Sequence, residues 1–224
     1  MKTPKRLPNC PLCLSDQTNV HAKDKHRSYC HCSHCELVFV PGCFHLCADD
    51  EKAIYDQHEN HPEDEGYQKF LSRLMTPLLA HLRPSAKGLD FGCGPGPTLS
   101  LMLKQRGFDM GVFDPFYANH PEALARQYDF ITTTEVVEHL SQPAAVFEQL
   151  FNMLRPEGVL GIMTKTIPSL DNFSDWHYTR DPTHITFYAQ ESFRYLAKQY
   201  QYQVEFAGSD VILMTRQIDP EKRN

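Results

Sequence analysis

The sequence predicts an α/β protein: a mostly parallel sheet wrapped by helices, closed by a C-terminal antiparallel hairpin and preceded by a small cysteine-rich unit. Three observations predict it. Residues 87–97 read K-G-L-D-F-G-C-G-P-G-P, a short apolar run ending on an acid, then alternating glycines, then a helix-like run over 98–106. Apolar runs of strand length and amphipathic runs of helix length alternate through the following hundred residues. Two C-x-x-C pairs, Cys10/Cys13 and Cys32/Cys35, lie eighteen residues apart, the spacing of a zinc ribbon.

Composition bounds the answer. A chain of 224 residues, 41% apolar, can bury one sizeable core and a small appendage. No stretch reaches the roughly 18 apolar residues that a membrane span needs, and the first ten residues lack an apolar signal core, so a cytoplasmic protein without a membrane partner is expected. Net charge is −6. Residues 1–35 carry six Lys/Arg against Asp16 and Asp24, which leaves −10 on the remainder. A nucleic-acid-wrapping surface is therefore disfavoured for the body and open for the basic head.

Residues 1–45 read as the ribbon. Cys10, Cys13, Cys32 and Cys35 supply four thiolates, a closed tetrahedral set that suits a structural Zn²⁺. Cys30, His31 and His34 are possible replacements, and Cys43, His45 and Cys47 offer three ligands on one short segment. The run E-L-V-F-V, 36–40, is the strand leaving the ribbon. Residues 46–63 are acidic and histidine-bearing and read as a linker or flap, with His58 and His61 solvated. Tyr67, Phe70, Leu71, Leu74, Met75, Leu78 and Leu82 recur at helical spacing, with Pro77 as a potential kink.

The glycine turn needs Gly92 and Gly94 because a side chain would block positive φ and close ligand approach. The third glycine comes one residue earlier than in G-x-G-x-x-G, which favours a ligand without pyrophosphate. M-G-V-F-D, 110–114, is the neighbouring strand. Its terminal Asp114 is placed to accept hydrogen bonds from ribose hydroxyls. Residues 129–137 form the next buried strand and its exit, 143–154 a helix with an apolar stripe, 155–158 a turn and 159–166 a strand. Residues 167–188 form a long insertion rich in aromatics and histidines, read as the acceptor-binding region with Trp176, His177, Tyr178, Arg180, Asp181 and His184. Residues 190–200 are a helix, and 203–207 and 211–217 a hairpin joined through G-S-D, followed by a frayed tail.

In order and spacing, D-F-G-C-G-P-G, V-F-D, E-V-V-E-H-L and L-R-P-E-G-V-L resemble the motif set of class I S-adenosylmethionine-dependent methyltransferases, over about residues 64–217. The resemblance implies a Rossmann-like, seven-stranded, mostly parallel sheet over 64–224. It implies S-adenosylmethionine as cofactor, held by Tyr67, Asp90, Gly92, Cys93, Gly94, Asp114, Pro115 and Glu135. Asp90 is expected near the methionine amino group and Tyr67 on a helix that lids the cofactor. The fourteen residues after Asp114 are too few for the usual helix and strand, so Phe116 or Tyr117 is the candidate to stack on adenine. The string H-Y-T-R-D-P-T-H-I-T-F-Y resembles a segment of ribbon-free relatives whose second histidine faces the active site. His139 and His184 are the candidate bases, because an oxygen or sulfur acceptor must lose a proton. A small-molecule acceptor leads. An RNA or protein acceptor docked by the basic ribbon, and a non-catalytic cofactor sensor, are the alternatives.

Overall fold

The computed structural model describes residues 7–57 and 61–216; His58 and the tail beyond Arg216 lie outside them. Strands β1 (Thr18–Lys23), β2 (Ser28–Cys32) and β3 (Val38–Phe39) form the ribbon hairpin and its exit. Helix α1 (Ala48–Tyr55) follows within the segment read as a linker. Its acidic first turn (Asp49, Asp50, Glu51) suits a helix N-terminus. Helix α2 (Glu65–Leu79) starts at Asp64, whose carboxylate accepts the Tyr67 N–H at 2.9 Å, and it accommodates Pro77 in its last turn.

Then come β4 (Lys87–Phe91), α3 (Thr98–Gln105), β5 (Asp109–Phe113), β6 (Tyr128–Thr134), α4 (Pro143–Met153) and β7 (Leu154–Met163). The chain ends with β8 (Thr186–Phe187), α5 (Gln190–Tyr200), β9 (Tyr202–Phe206) and β10 (Val211–Arg216). The central sheet runs β5-β4-β6-β7-β10-β9, parallel through β7 and antiparallel at β10 and β9. It has six strands among the described residues, not seven. Between β5 and β6 the chain makes only a short 3-10 turn, Pro121–Ala125, so the strand that would flank β5 is missing. The R-P-E-G segment lies inside β7 as an irregularity, where pairing jumps from Tyr128–Leu154 to Phe130–Val159.

Helices α2 and α3 cover one sheet face, burying Leu71, Leu74, Met75, Leu78, Leu99 and Leu103 against Phe130 and Met163. On the other face α4 and α5 bury Phe147, Leu150, Phe151, Phe193 and Leu196. The same cluster contains Cys10, Leu12, Cys32, Leu37 and Phe39. The ribbon is therefore packed into the core, not suspended from it. A second sheet, β1-β2-β3-β8, makes the joint: β3 pairs antiparallel with β8, which belongs to the far end of the insertion. Tyr29, Val38, Val40, Phe173, Tyr178, Ile185 and Phe187 form a third cluster across that joint.

Phe187 is fully buried where Tyr29, Phe173 and Trp176 meet. Phe187→Ala is expected to destabilise the protein by about 3–5 kcal/mol, the cost of a large cavity in a packed cluster. Chemical denaturation measures it, and a loss below about 1 kcal/mol would show that this joint contributes little to the fold.

Candidate functional site

A cavity of about 1050 Å³ opens at the carboxyl ends of β4, β5 and β6. Its floor is the glycine turn. Gly92 has φ +74° and Gly94 has φ +63°. A Cβ at Gly92 would lie 2.4 Å from a methyl of Val136, so close packing as well as backbone conformation requires glycine there. The Phe113 carbonyl accepts the Gly92 N–H at 2.7 Å. The Asp114 carboxylate accepts N–H groups from Gly94 (3.0 Å), Phe116 (2.8 Å) and Tyr117 (3.1 Å). Asp114 thus ties the glycine turn to the next loop and also lines the cavity.

Tyr67, Gly92, Cys93, Gly94, Asp114, Pro115 and Glu135 all line this one cavity, together with Phe116 and Tyr117. Asp90 does not. Strand alternation turns it beneath the loop, where it is 2% exposed. There it accepts the Thr132 hydroxyl at 3.0 Å and bonds the Ser100 backbone. Burial pushes its carboxyl up to about 6. Its place is under the loop and against the start of α3, not on the wall where a methionine amino group was expected.

At the inner end, Glu135 sits at φ +51°, and the 3-10 turn Val137–His139 follows. The turn sends Glu138 into the core and His139 to the cavity. Tyr178 donates its hydroxyl to Glu138, with Glu135 3.3 Å away, and Thr164 donates to the other Glu138 oxygen at 3.0 Å. Burial, then the Glu138 charge, pushes Glu135 up to about 8, and burial pushes Glu138 up to about 7. His184 packs edge-on to His139, with ring centroids 4.8 Å apart. Burial, then the charge of His139, lowers His184 to about 4, so its ring is neutral at pH 7. Ligand atoms of Glu138, His139 and His184 lie within 4.8 Å of one another, a set able to hold a cation.

Of the insertion residues expected there, Asp181 and His184 line the wall, and Trp176, His177, Tyr178 and Arg180 do not. Tyr178 is buried on the two glutamates. Trp176 packs on Phe173, Tyr178 and Phe187. His177 is exposed beside Lys165, and Arg180 is exposed. The aromatic residues of 167–188 serve the joint with the ribbon sheet, while Asp181 and His184 of the same insertion line the cavity. Glu138 and Tyr55 were missed. The two acids of E-V-V-E-H-L stand three apart, as one helical turn requires, but only the fold shows that both are buried. Tyr55 on α1 packs edge-on to His139 and tilts against Phe116, so the segment read as a linker or flap covers one side of the cavity.

The four ribbon cysteines converge. Cys10 and Cys35 sulfurs are 3.5 Å apart, as are those of Cys13 and Cys32, and all four lie within 4.8 Å of one another. Tetrahedral Zn–S bonds near 2.3 Å set sulfurs about 3.8 Å apart, so the set fits Zn²⁺. The other candidates are engaged elsewhere. His31 pairs with Glu36 at 2.9 Å, His34 packs on Tyr195, His45 bonds the Val40 carbonyl, and Cys47 donates to Asp50. Cys30 is buried outside the set, and Cys43 is exposed.

The two glutamates give a stability test. Their folded affinity for protons exceeds the unfolded one, so their contribution is full below about 4.5 and drains as pH rises toward 7 and 8. His184, depressed to about 4, works in the opposite sense but only below its ordinary value of 6.5. Without cofactor, the melting temperature should therefore fall between pH 6.5 and 8, and Glu138→Gln should flatten that fall. Calorimetric melts across the range decide it; a parallel slope in the variant would refute the assignment.

The comparisons with known proteins follow this geometry. A family described as a methyltransferase domain matches residues 63–206. A ubiquinone biosynthesis O-methyltransferase of Serratia proteamaculans is 28% identical over 85 residues, 38% of this chain and 35% of that protein. Its counterpart from Shewanella pealeana is 24% identical over 91 residues, 41% and 39% respectively. The chain thus spans little more than a third of the length of these curated relatives. A SAM dependent methyltransferase from Archaeoglobus fulgidus superposes with a TM-score of 0.52 at 15% identity, over 66% of this chain and 94% of that one, a likeness of fold.

Proposed function

The chain belongs to the methyltransferase domain family, and from that premise we propose that it transfers the methyl of S-adenosylmethionine to a hydroxyl of a small molecule. The observation that carries this reading is the Glu138–His139–His184 cluster at the inner end of the cofactor cavity. A hydroxyl needs its proton removed as it attacks, whereas many nitrogen acceptors do not. The curated relatives named above are O-methyltransferases, which supports the same atom.

The residues fit the cofactor. The glycine turn, Tyr67, Asp114, Pro115 and Glu135 line one cavity whose 1050 Å³ leaves room for an acceptor beside it. Bound there, S-adenosylmethionine supplies an electrophilic methyl on a sulfonium. The protein's part is to orient, exclude water and take a proton. The side-chain-free glycine turn lets the cofactor approach the backbone closely, and the wall acids bind its polar parts. Tyr55, packed against Phe116 and His139, shuts out water on one side, and this covering suits a small acceptor better than a polymer. His139 and His184 each set Nδ1 against a backbone carbonyl, of Thr183 at 3.1 Å and Tyr178 at 2.8 Å. That contact requires N–H at Nδ1, so in the neutral rings Nε2 is the basic nitrogen. His184, neutral at pH 7, takes the hydroxyl proton, and Asp181 beside it, 3.8 Å from Nε2, stabilises the cation that forms.

The ribbon, in this reading, holds Zn²⁺ as a structural ion. Docking of a macromolecule on the basic head loses support, because Arg27, one of its six cations, is buried and turned inward.

A second reading rests on the same two imidazoles. Rings oriented through Nδ1–H onto carbonyls, next to a carboxylate, are how proteins present histidine to metals. A divalent cation on Glu138, His139 and His184 would then acidify the hydroxyl. Transfer of labelled methyl to a panel of phenols, catechols and aliphatic alcohols tests both. His184→Ala should lower turnover by about 10²–10⁴ while calorimetry shows cofactor affinity kept. Chelation that stops turnover, with rescue by Mg²⁺ or Mn²⁺, selects the cation; indifference to chelator selects the base. Full turnover in His184→Ala sinks both.

A further inference from the structure

We propose that Arg27, in the ribbon hairpin, is a positioning residue for methyl transfer: it holds loop 179–184 so that Asp181 and His184 stay on the cavity wall. The inference rests on the reading of those two residues given above.

Arg27 is 7% exposed, yet it forms no close ion pair; the nearest carboxylate oxygen, on Asp24, is 3.9 Å away. Its guanidinium is instead spent on main-chain oxygens. One terminal nitrogen donates to the carbonyls of Pro182 (3.1 Å) and His184 (2.8 Å). The other donates to those of Thr179 (2.6 Å) and Asp181 (2.7 Å). Nε donates to the Tyr29 hydroxyl at 2.9 Å. A guanidinium has five N–H groups, and all five are used. Four carbonyls of a six-residue loop thus converge on one side chain from a distant part of the sequence.

The consequence falls on the opposite side of the loop. With these carbonyls drawn toward the ribbon, the side chains of Asp181 and His184 line the cavity. From within the catalytic unit, His139 bonds the Thr183 carbonyl through Nδ1 at 3.1 Å, and the Ile185 N–H donates to the Glu138 carbonyl at 2.8 Å. The internal bonds of the loop, Asp181 to the Thr183 N–H (2.8 Å) and hydroxyl (2.5 Å), shape it but do not locate it. A lysine cannot replace the fork: it has three donors around one point and no plane to span four acceptors.

Arg27 is itself held by the ribbon. Asp24 accepts the N–H groups of His26 and Arg27 and sets the turn, and Arg27 leads directly into β2, whose last residue is the metal-site Cys32. The four-cysteine set therefore fixes the strand that carries the clamp. This gives the ribbon a catalytic purpose without contact to substrate.

The test uses the full-length protein with S-adenosylmethionine as the binding probe. In Arg27→Met, amide hydrogen exchange over 179–185 should rise by about tenfold or more, while β6 and the glycine turn stay protected. Cofactor affinity should hold within about threefold, and kcat on the acceptor found in the alcohol panel should fall on the order of a hundredfold. Arg27→Lys, which keeps the charge, should fall between and guards against simple misfolding. Stripping the cysteine site with a chelator should raise exchange in the same segment. Unchanged exchange over 179–185 in both variants overturns the proposal, as does raised exchange with unaltered kcat. Failure of the wild type to bind the cofactor would instead defeat the functional reading, while the exchange comparison would still decide whether Arg27 holds the loop.

Discussion

The pairing of β3 with β8 is the constraint on which the rest of the molecule depends. Two residues from the N-terminal unit pair with two from the far end of the insertion, and their side chains close an aromatic cluster. That contact fuses the ribbon sheet to the catalytic sheet and gives the insertion a floor. A long segment with little secondary structure of its own becomes ordered only because a separate unit supplies hydrogen-bond partners for its backbone. The hairpin that leads to that floor is anchored in the main core cluster, where Cys10, Cys32 and Cys35 are buried beside Leu37 and Phe39.

The cavity combines two regimes. At the glycine turn, backbone geometry is fixed by neutral hydrogen bonds and by Asp114, whose carboxylate is shared among three N–H donors. At the inner end, charge is suppressed: two carboxyls rise toward neutrality and one imidazole is held neutral, all chiefly by burial. Under the function proposed above, such a site would hold proton-carrying groups beside a nucleophile that must shed a proton. It also disfavours free water, which would compete for the same electrophile.

Much of the α/β core was legible because strands buried on both faces and amphipathic helices leave strong periodic marks. The glycine turn, Asp114 and the acid–histidine run were legible for a related reason: positive φ and chain-terminal acids demand particular residue types. The insertion was legible in part: Asp181 and His184 line the cavity, whereas Trp176, His177, Tyr178 and Arg180 do not. Aromatic residues mark burial as readily as binding, and nothing in the local pattern tells Trp176 packing on a β-strand from Trp176 packing on a substrate. The six-strand sheet was half legible, since the short span after Asp114 announced a shortened crossover without saying which strand was lost.

By itself the sequence determined which backbone can bend sharply, which thiols stand at metal spacing and which runs must be buried, since these follow from local sterics, bond geometry and hydrophobic period. Only the tertiary structure decided that Asp90 turns inward, that Tyr55 reaches the cavity, and that Arg27 grips a loop more than 150 residues away. Those outcomes depend on which face meets which neighbour across the chain, and a linear pattern carries no record of the partner that satisfies a buried carbonyl.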